Sequence, residues 1–180
     1  MRMKVPNSRR NLDNAIRRAV GQTDFVRART TMASAIVGQM LPSGVVKGGS
    51  ALKLRFRGAS TRFTSDLDAA RAADLDAFAT ELEERLEAGW HGFAGHVVPR
   101  PPAHPVDVSE WCVMRPFDVK LSYNGVPWAT VRLEVDHDEI GDADKAERFL
   151  ADDVAALFDQ VGLPAPAPVP LMPLEYQVAQ

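Results

Sequence analysis

Residues 45–70 run VVKGGSALKLRFRGASTRFTSDLDAA. The short apolar run from Gly44 to Lys47 has the length of a strand. It turns at Gly48-Gly49, and Ser50 opens a helical stretch from Ala51 to Arg57, with Leu52 on one face and Arg55 on the other. Arg62 to Ala70 then reads as a second strand whose acids alternate. Side chains two apart on a strand share a face, so Asp66 and Asp68 project together, an arrangement suited to bridging a divalent cation. Gly48 and Gly49 let the backbone approach a ligand closely, while Ser50 and the free amides of the following helix suit the terminal phosphates of a nucleotide.

A phosphate cradle and a metal cradle therefore lie 16 positions apart, counted from Ser50 to Asp66. Phosphoryl and nucleotidyl transfer need those two parts above all, because catalysis there is positioning plus charge neutralisation. Each signal alone is weak: Gly-Gly-Ser is more often a plain turn, and Asp-x-Asp more often a solvated strand face. Together they are far more specific. A third carboxylate would complete the site, and Glu134, in the alternating run Thr130 to Val135, is the candidate. It reads equally well as an exposed strand acid near Arg132, with Asp136 or Asp118 as substitutes. Lys47, Gly48, Gly49, Ser50 and Arg62 form the expected nucleotide-binding set. Lys47, Lys53, Arg55 and Arg62 are further cations near the motif that could neutralise phosphate charge, but each reads better as a backbone-phosphate contact or a solvated charge. His91 and His96, five apart in a strand-like segment, face opposite sides and are structural.

Outward from this centre, residues 8–20 and 23–41 read as helices with Ser8 and Thr23 as N-caps, the second ended by Pro42. Asp74 to Ala88 is helical, with Leu75, Phe78, Ala79, Leu82 and Leu86 at helical spacing. Period-two segments follow at 90–98, 113–123 and 127–135, the last two joined by the hairpin turn Asn124-Gly125. Ala143 to Val161 reads as a helix closed by Gly162. Pro164, Pro166, Pro168, Pro170 and Pro173 then make an extended linker before the first turns of another helix. The expected organisation is a core domain over 1–163 and a proline-rich segment with a helix start over 164–180. The class is α+β, with a mixed sheet flanked by helices.

The chain has 180 residues, 46% of them hydrophobic, which suffices for a core without disulfides, and Cys112 is its only cysteine. It carries no apolar run of membrane-spanning length and no secretory h-region near the start, so the expected location is cytoplasmic, with no membrane partner. A net charge of −3 hides an asymmetry: residues 1–62 hold 13 Lys and Arg against Asp13 and Asp24, whereas the rest is strongly acidic. Arg9, Arg10, Arg17, Arg18, Arg27 and Arg29 suit a phosphate backbone or, equally, salt bridges to the acidic half.

KGGSALKL followed by RFTSDLD resembles the AbiEii-type nucleotidyltransferase family, which includes toxins of abortive-infection and MenT-like toxin–antitoxin systems. The family pattern is a strand ending Lys-Gly-Gly-(Ser/Thr)-Ala-Leu, a gap, then Arg-Phe-Ser-x-Asp-(Leu/Ile)-Asp, with Thr64 here in the serine position. The resemblance implies a polymerase-beta-like core, Mg2+ or Mn2+, a nucleoside triphosphate (NTP) donor, and transfer of nucleotides to an RNA acceptor such as the 3′ end of tRNA. It also implies a cognate antitoxin and inhibitory phosphorylation at Thr64 or Ser65. In the family, the tail Val169 to Tyr176 leads into a helix bearing a functional lysine and later an aspartate. The chain stops at Gln180, so the expectation is a C-terminal helical part truncated or absent. Two rivals stand beside this reading: a transferase acting on a small molecule or protein hydroxyl, and a catalytically silent domain that binds nucleotide or an antitoxin.

Overall fold

The computed structural model describes residues 4–56, 64–71, 74–101, 115–137 and 145–178. Helix α1 (Arg9–Met40) is followed by β1 (Gly44–Lys47), α2 (Gly48–Arg55), β2 (Asp66–Arg71), α3 (Leu75–Ala88), β3 (Phe93–Pro99), β4 (Arg115–Tyr123), β5 (Val126–His137), β6 (Glu147–Phe149), α4 (Asp152–Val161), β7 (Val169–Leu171) and α5 (Leu174–Val178). The strands form one mixed sheet in the order β3-β4-β5-β2-β1-β7-β6. β2 runs parallel to β5 and antiparallel to β1, so the acidic strand lies in the interior of the sheet.

The expected pair of N-terminal helices is continuous in hydrogen bonding but broken in geometry. Gly21 sits at φ 82°, ψ 171° inside α1, which kinks the helix where the sequence places the gap between two helices. Ser8 caps the start by accepting from the Asn11 amide, and Asp74 caps α3 by accepting from the Ala77 amide. Beyond the kink α1 is almost wholly buried from Thr31 to Gly38. It packs so closely that a Cβ at Gly38 would stand 3.1 Å from the methyls of Val169.

Strand alternation sorts the sheet into two faces. Val46, Leu67, Ala69, Val131, Leu133 and Val135 join one core with the inner faces of α1, α2, α3 and α4. Val45, Ala70 and Met172 form a small separate cluster on the other face. Lys47, Asp66, Asp68, Glu134 and Asp136 alternate with the core set and therefore share that second face. The helices thus hold the sheet from behind and leave the acids in front. Among the described residues, no helix is long and apolar enough to cross a membrane.

Several boundaries differ from expectation. α2 starts at Gly48 and ends at Arg55, and β2 starts only at Asp66; Arg62, Phe63 and Arg57 lie outside the described residues. Trp90 makes an isolated bridge to Phe93 rather than opening β3. The helix expected from Ala143 is a strand and a shorter helix: Glu147–Phe149 pairs with β7, and the Ala151 amide is held 2.7 Å from the Leu54 carbonyl before α4 begins at Asp152. The proline-rich run also supplies a strand. β7 lies between β1 and β6, with Leu171 in register with Val46 and Pro170 opposite Arg148. Sheet pairing with neighbours distant in sequence overrode local pattern in both places.

Candidate active site

Three neighbouring strands bring Lys47, Asp68 and Glu134 into one row. Lys47 on β1 is in register with Asp68 on β2, and Asp68 with Glu134 on β5. Side chains directly opposite across a ladder stand about 5 Å apart at Cβ, so like charges there repel. Asp66 stands two residues before Asp68 on the same face. The electrostatic consequence falls on Asp68: burial first, then Glu134, then Asp66 push its carboxyl above the usual carboxylate range, and Lys47 pulls only partly the other way.

The turn from β1 into α2 closes over this row. Gly48 adopts φ +62°, a conformation that favours glycine, and a Cβ on it would fall 2.4 Å from Asp68 Oδ2, so a side chain there would have to displace that carboxylate. A Cβ on Gly49 would meet the Thr64 methyl at 3.3 Å. Lys47, at the N-cap, offers no side-chain cap to the helix. The first amides of α2 thus lack a side-chain acceptor at the N-cap beside Asp68, the polarity an anion would complement.

Of the expected nucleotide-binding residues, Gly48 and Gly49 stand at the acidic row, and Arg62 lies outside the described residues. Lys47 reaches across β2 to Asp136, Nζ to Oδ2 being 2.9 Å. Ser50 is placed differently from expectation: it is fully buried, and its hydroxyl donates to the Asp66 carbonyl. The alternatives to Glu134 are engaged elsewhere, Asp136 with Lys47 and Asp118 with Arg100 at 3.6 Å and Lys120 at 3.1 Å. Ser65 is exposed and donates to Asp66 Oδ1 at 3.1 Å, and Thr64 Oγ1 accepts from the Asp66 amide at 3.4 Å.

Lys53 and Arg55 are not solvated charges, one of the two readings expected of them. Arg55 pairs with Glu147 and donates to the Met172 carbonyl at 3.0 Å, tying α2 to β6 and the strand end. Lys53 is 2% exposed, and burial, with Arg27 adding, lowers its pKa to about 8 while Asp66 opposes the shift. Sequence reading missed it because LKLR places a lysine among apolar helix positions without saying which face meets the core.

Among the described residues no three His, Cys, Asp or Glu side chains already converge as a complete metal cluster. What suits a divalent cation is uncompensated charge: Asp68 sits in an environment that disfavours its own ionised form, between Asp66 and Glu134. Hard oxygen donors of this kind are what Mg2+ and Mn2+ take.

A family model described as nucleotidyl transferase AbiEii toxin, type IV toxin–antitoxin system, matches residues 34–180. Among solved structures, MenT4, a nucleotidyltransferase toxin from Mycobacterium tuberculosis H37Rv, aligns with a TM-score of 0.57 at 18% identity, over 93% of this chain and 56% of that one. Two Helicobacter pylori crystal structures, one described as a putative nucleotidyltransferase and one as JHP933, give TM-scores of 0.46 and 0.45 at 14% and 13% identity, over 86% of this chain and 56% and 54% of those chains. The chain thus spans little more than half the length of these structures. No curated protein matches its sequence.

Proposed function

This chain belongs to the AbiEii family of nucleotidyltransferase toxins from type IV toxin–antitoxin systems, and from that premise we propose that it moves a nucleoside monophosphate from an NTP to the 3′ end of an RNA, tRNA foremost. The observation that carries the reading is the row Lys47–Asp68–Glu134, with Asp66 beside it, under the glycine turn that opens α2. An antitoxin partner is implied by the family.

Asp66 and Asp68 would hold the divalent cation, Mg2+ or Mn2+, which supplies charge neutralisation for the triphosphate. The amides of Gly48 and Gly49 receive phosphate oxygens at the positive end of α2, with Ser50 buried behind them. Lys47 stands one strand from Asp68 and balances part of the negative charge. Glu134 completes the site or takes the proton of the acceptor 3′-hydroxyl as its oxygen attacks the α-phosphorus. The bond to the bridging oxygen breaks and pyrophosphate leaves. Ser65 and Thr64 both touch Asp66, so a phosphate on either would place new negative charge against that carboxylate and oppose NTP binding.

The test is incubation of the chain, and of Asp66→Ala/Asp68→Ala, with Mg2+, each radiolabelled NTP and total tRNA. Label in tRNA from the unmutated chain alone is the expected result. Label in a small molecule or protein instead would replace the acceptor. Binding of Mg2+ and NTP with no product in any fraction would make this a silent binding domain.

A further inference from the structure

The face of α2 turned into the core carries two polar side chains that the transfer chemistry leaves unused. Ser50 donates its hydroxyl to the carbonyl of Asp66. Lys53, one turn later and on the same face, places its ammonium 3.2 Å from the Thr64 carbonyl and 3.5 Å from Ser34 Oγ. Ser34, itself fully buried, donates to the Thr30 carbonyl at 3.0 Å, so this second anchor is backed by α1.

A buried cation is a poor stabiliser. Removing an ammonium from water costs several kcal/mol, and apolar replacements of similar volume are often neutral or better. Lys53 faces neutral oxygens, and among the described residues no carboxylate comes within ion-pairing distance of Nζ. Its cation is thus poorly explained by stability, while two of the three contacts these side chains make, to the Asp66 and Thr64 carbonyls, end on the backbone that delivers Asp66.

We propose that Ser50 and Lys53 clamp the chain entering β2, Lys53 acting as a positioning residue that fixes Asp66 and Asp68 against the Gly48–Gly49 turn. The same short helix carries the phosphate-facing amides at its start and the clamp on its inner face. The spacing between phosphate cradle and carboxylates is thereby set by one rigid element. This inference rests on Asp66 and Asp68 being the cation ligands.

Lys53→Met, which keeps the stem and removes the charge, and Ser50→Ala separate the clamp from other roles. Hydrogen–deuterium exchange reads the backbone, and Mn2+ titration followed by electron paramagnetic resonance of the free ion reads the carboxylates. The clamp expects exchange in peptides covering Thr64–Leu67 to quicken about tenfold in either variant while β4 peptides stay unchanged, and Mn2+ affinity to fall about tenfold.

Tighter Mn2+ binding in Lys53→Met would show that the lysine acts only by its charge. Uniformly faster exchange with unchanged Mn2+ affinity would show a packing role only; either overturns the clamp. If the unmutated chain binds no Mn2+, the cation reading fails, and local exchange alone decides whether the clamp exists. If Lys53→Met does not fold, Ser50→Ala carries the same test.

Discussion

Asp68 is where stability and chemistry pull in opposite directions. Its carboxyl is raised by burial, Glu134 and Asp66, so in the absence of cation it binds protons more readily folded than unfolded. The stability associated with it is fully present below the ordinary carboxylate range and is lost as pH rises through its raised value. Asp68→Asn removes that loss. In EDTA at pH 7 the variant should melt higher than the unmutated chain, by about 1 kcal/mol or ~2–4 °C. The gap should close as pH falls below the carboxylate range. Scanning calorimetry across pH checks both, and a variant melting lower at pH 7 would remove the charge-repulsion account. Gly48→Ala sets the complementary test. It adds a left-handed strain of about 1–2 kcal/mol and drives a methyl into Asp68 Oδ2, so Mn2+ binding should weaken along with stability; loss of stability alone would mean the turn yields without moving the carboxylate. Gly48, Asp66 and Asp68 were legible in the sequence because turn chemistry and strand alternation are local. Lys53 and the inward turn of Ser50 were not, because which face of a short helix meets the core depends on α1 and β2 arriving from elsewhere.

At the scale of elements, the same division separates what local pattern shows from what pairing adds. α3, α4's C-terminal end at Gly162, and the β4–β5 hairpin at Asn124-Gly125 follow from caps, periodicity and turn residues. β6 and β7 do not: strands of three residues, one of them interrupted by Pro170, have no periodicity to read. What holds β7 in place is partly a side chain imitating a strand partner. Gln39 accepts from the Ala167 amide at 2.9 Å and donates to the Ala167 carbonyl at 3.0 Å, both bonds that a neighbouring strand would make. Gln39→Ala should cost about 1–2 kcal/mol and raise exchange in Val169–Leu171 selectively, measured by denaturant unfolding and hydrogen exchange. Unchanged protection there would mean that pairing with β1 and β6 is sufficient. At the β3 edge of the sheet a side chain again takes a strand's place: Glu83 accepts the Val97 amide at 2.6 Å, and Pro99 has no donor to offer.

Across the whole molecule, the basic first third acquires a different meaning once folded. Arg29 stacks on Trp128 and pairs with Asp13 at 3.4 Å, Arg9 also approaches Asp13, and Arg17 covers the ring of Phe25. Arg29, with Asp13 accepting from the Trp128 indole at 3.0 Å, fastens α1 to the start of β5, while the Arg9 and Arg17 contacts stay within α1. Glu134 lies toward the other end of that strand, about 20 Å from Trp128 at ~3.4 Å per residue, and on the opposite face of the sheet. Exposed Arg10 and Arg18 belong to the same remote half of α1. Charges separated by more than the Debye length, about 8 Å at physiological salt, are largely screened. Arg10→Glu/Arg18→Glu should therefore leave nucleotide incorporation into RNA within about twofold at that salt, with any loss confined to low ionic strength. A tenfold loss at physiological salt, with a shallower salt dependence in the variant than in the unmutated chain, would instead place the acceptor's backbone along α1, so that a long RNA would have to wrap from the helical side of the sheet round to its acidic face.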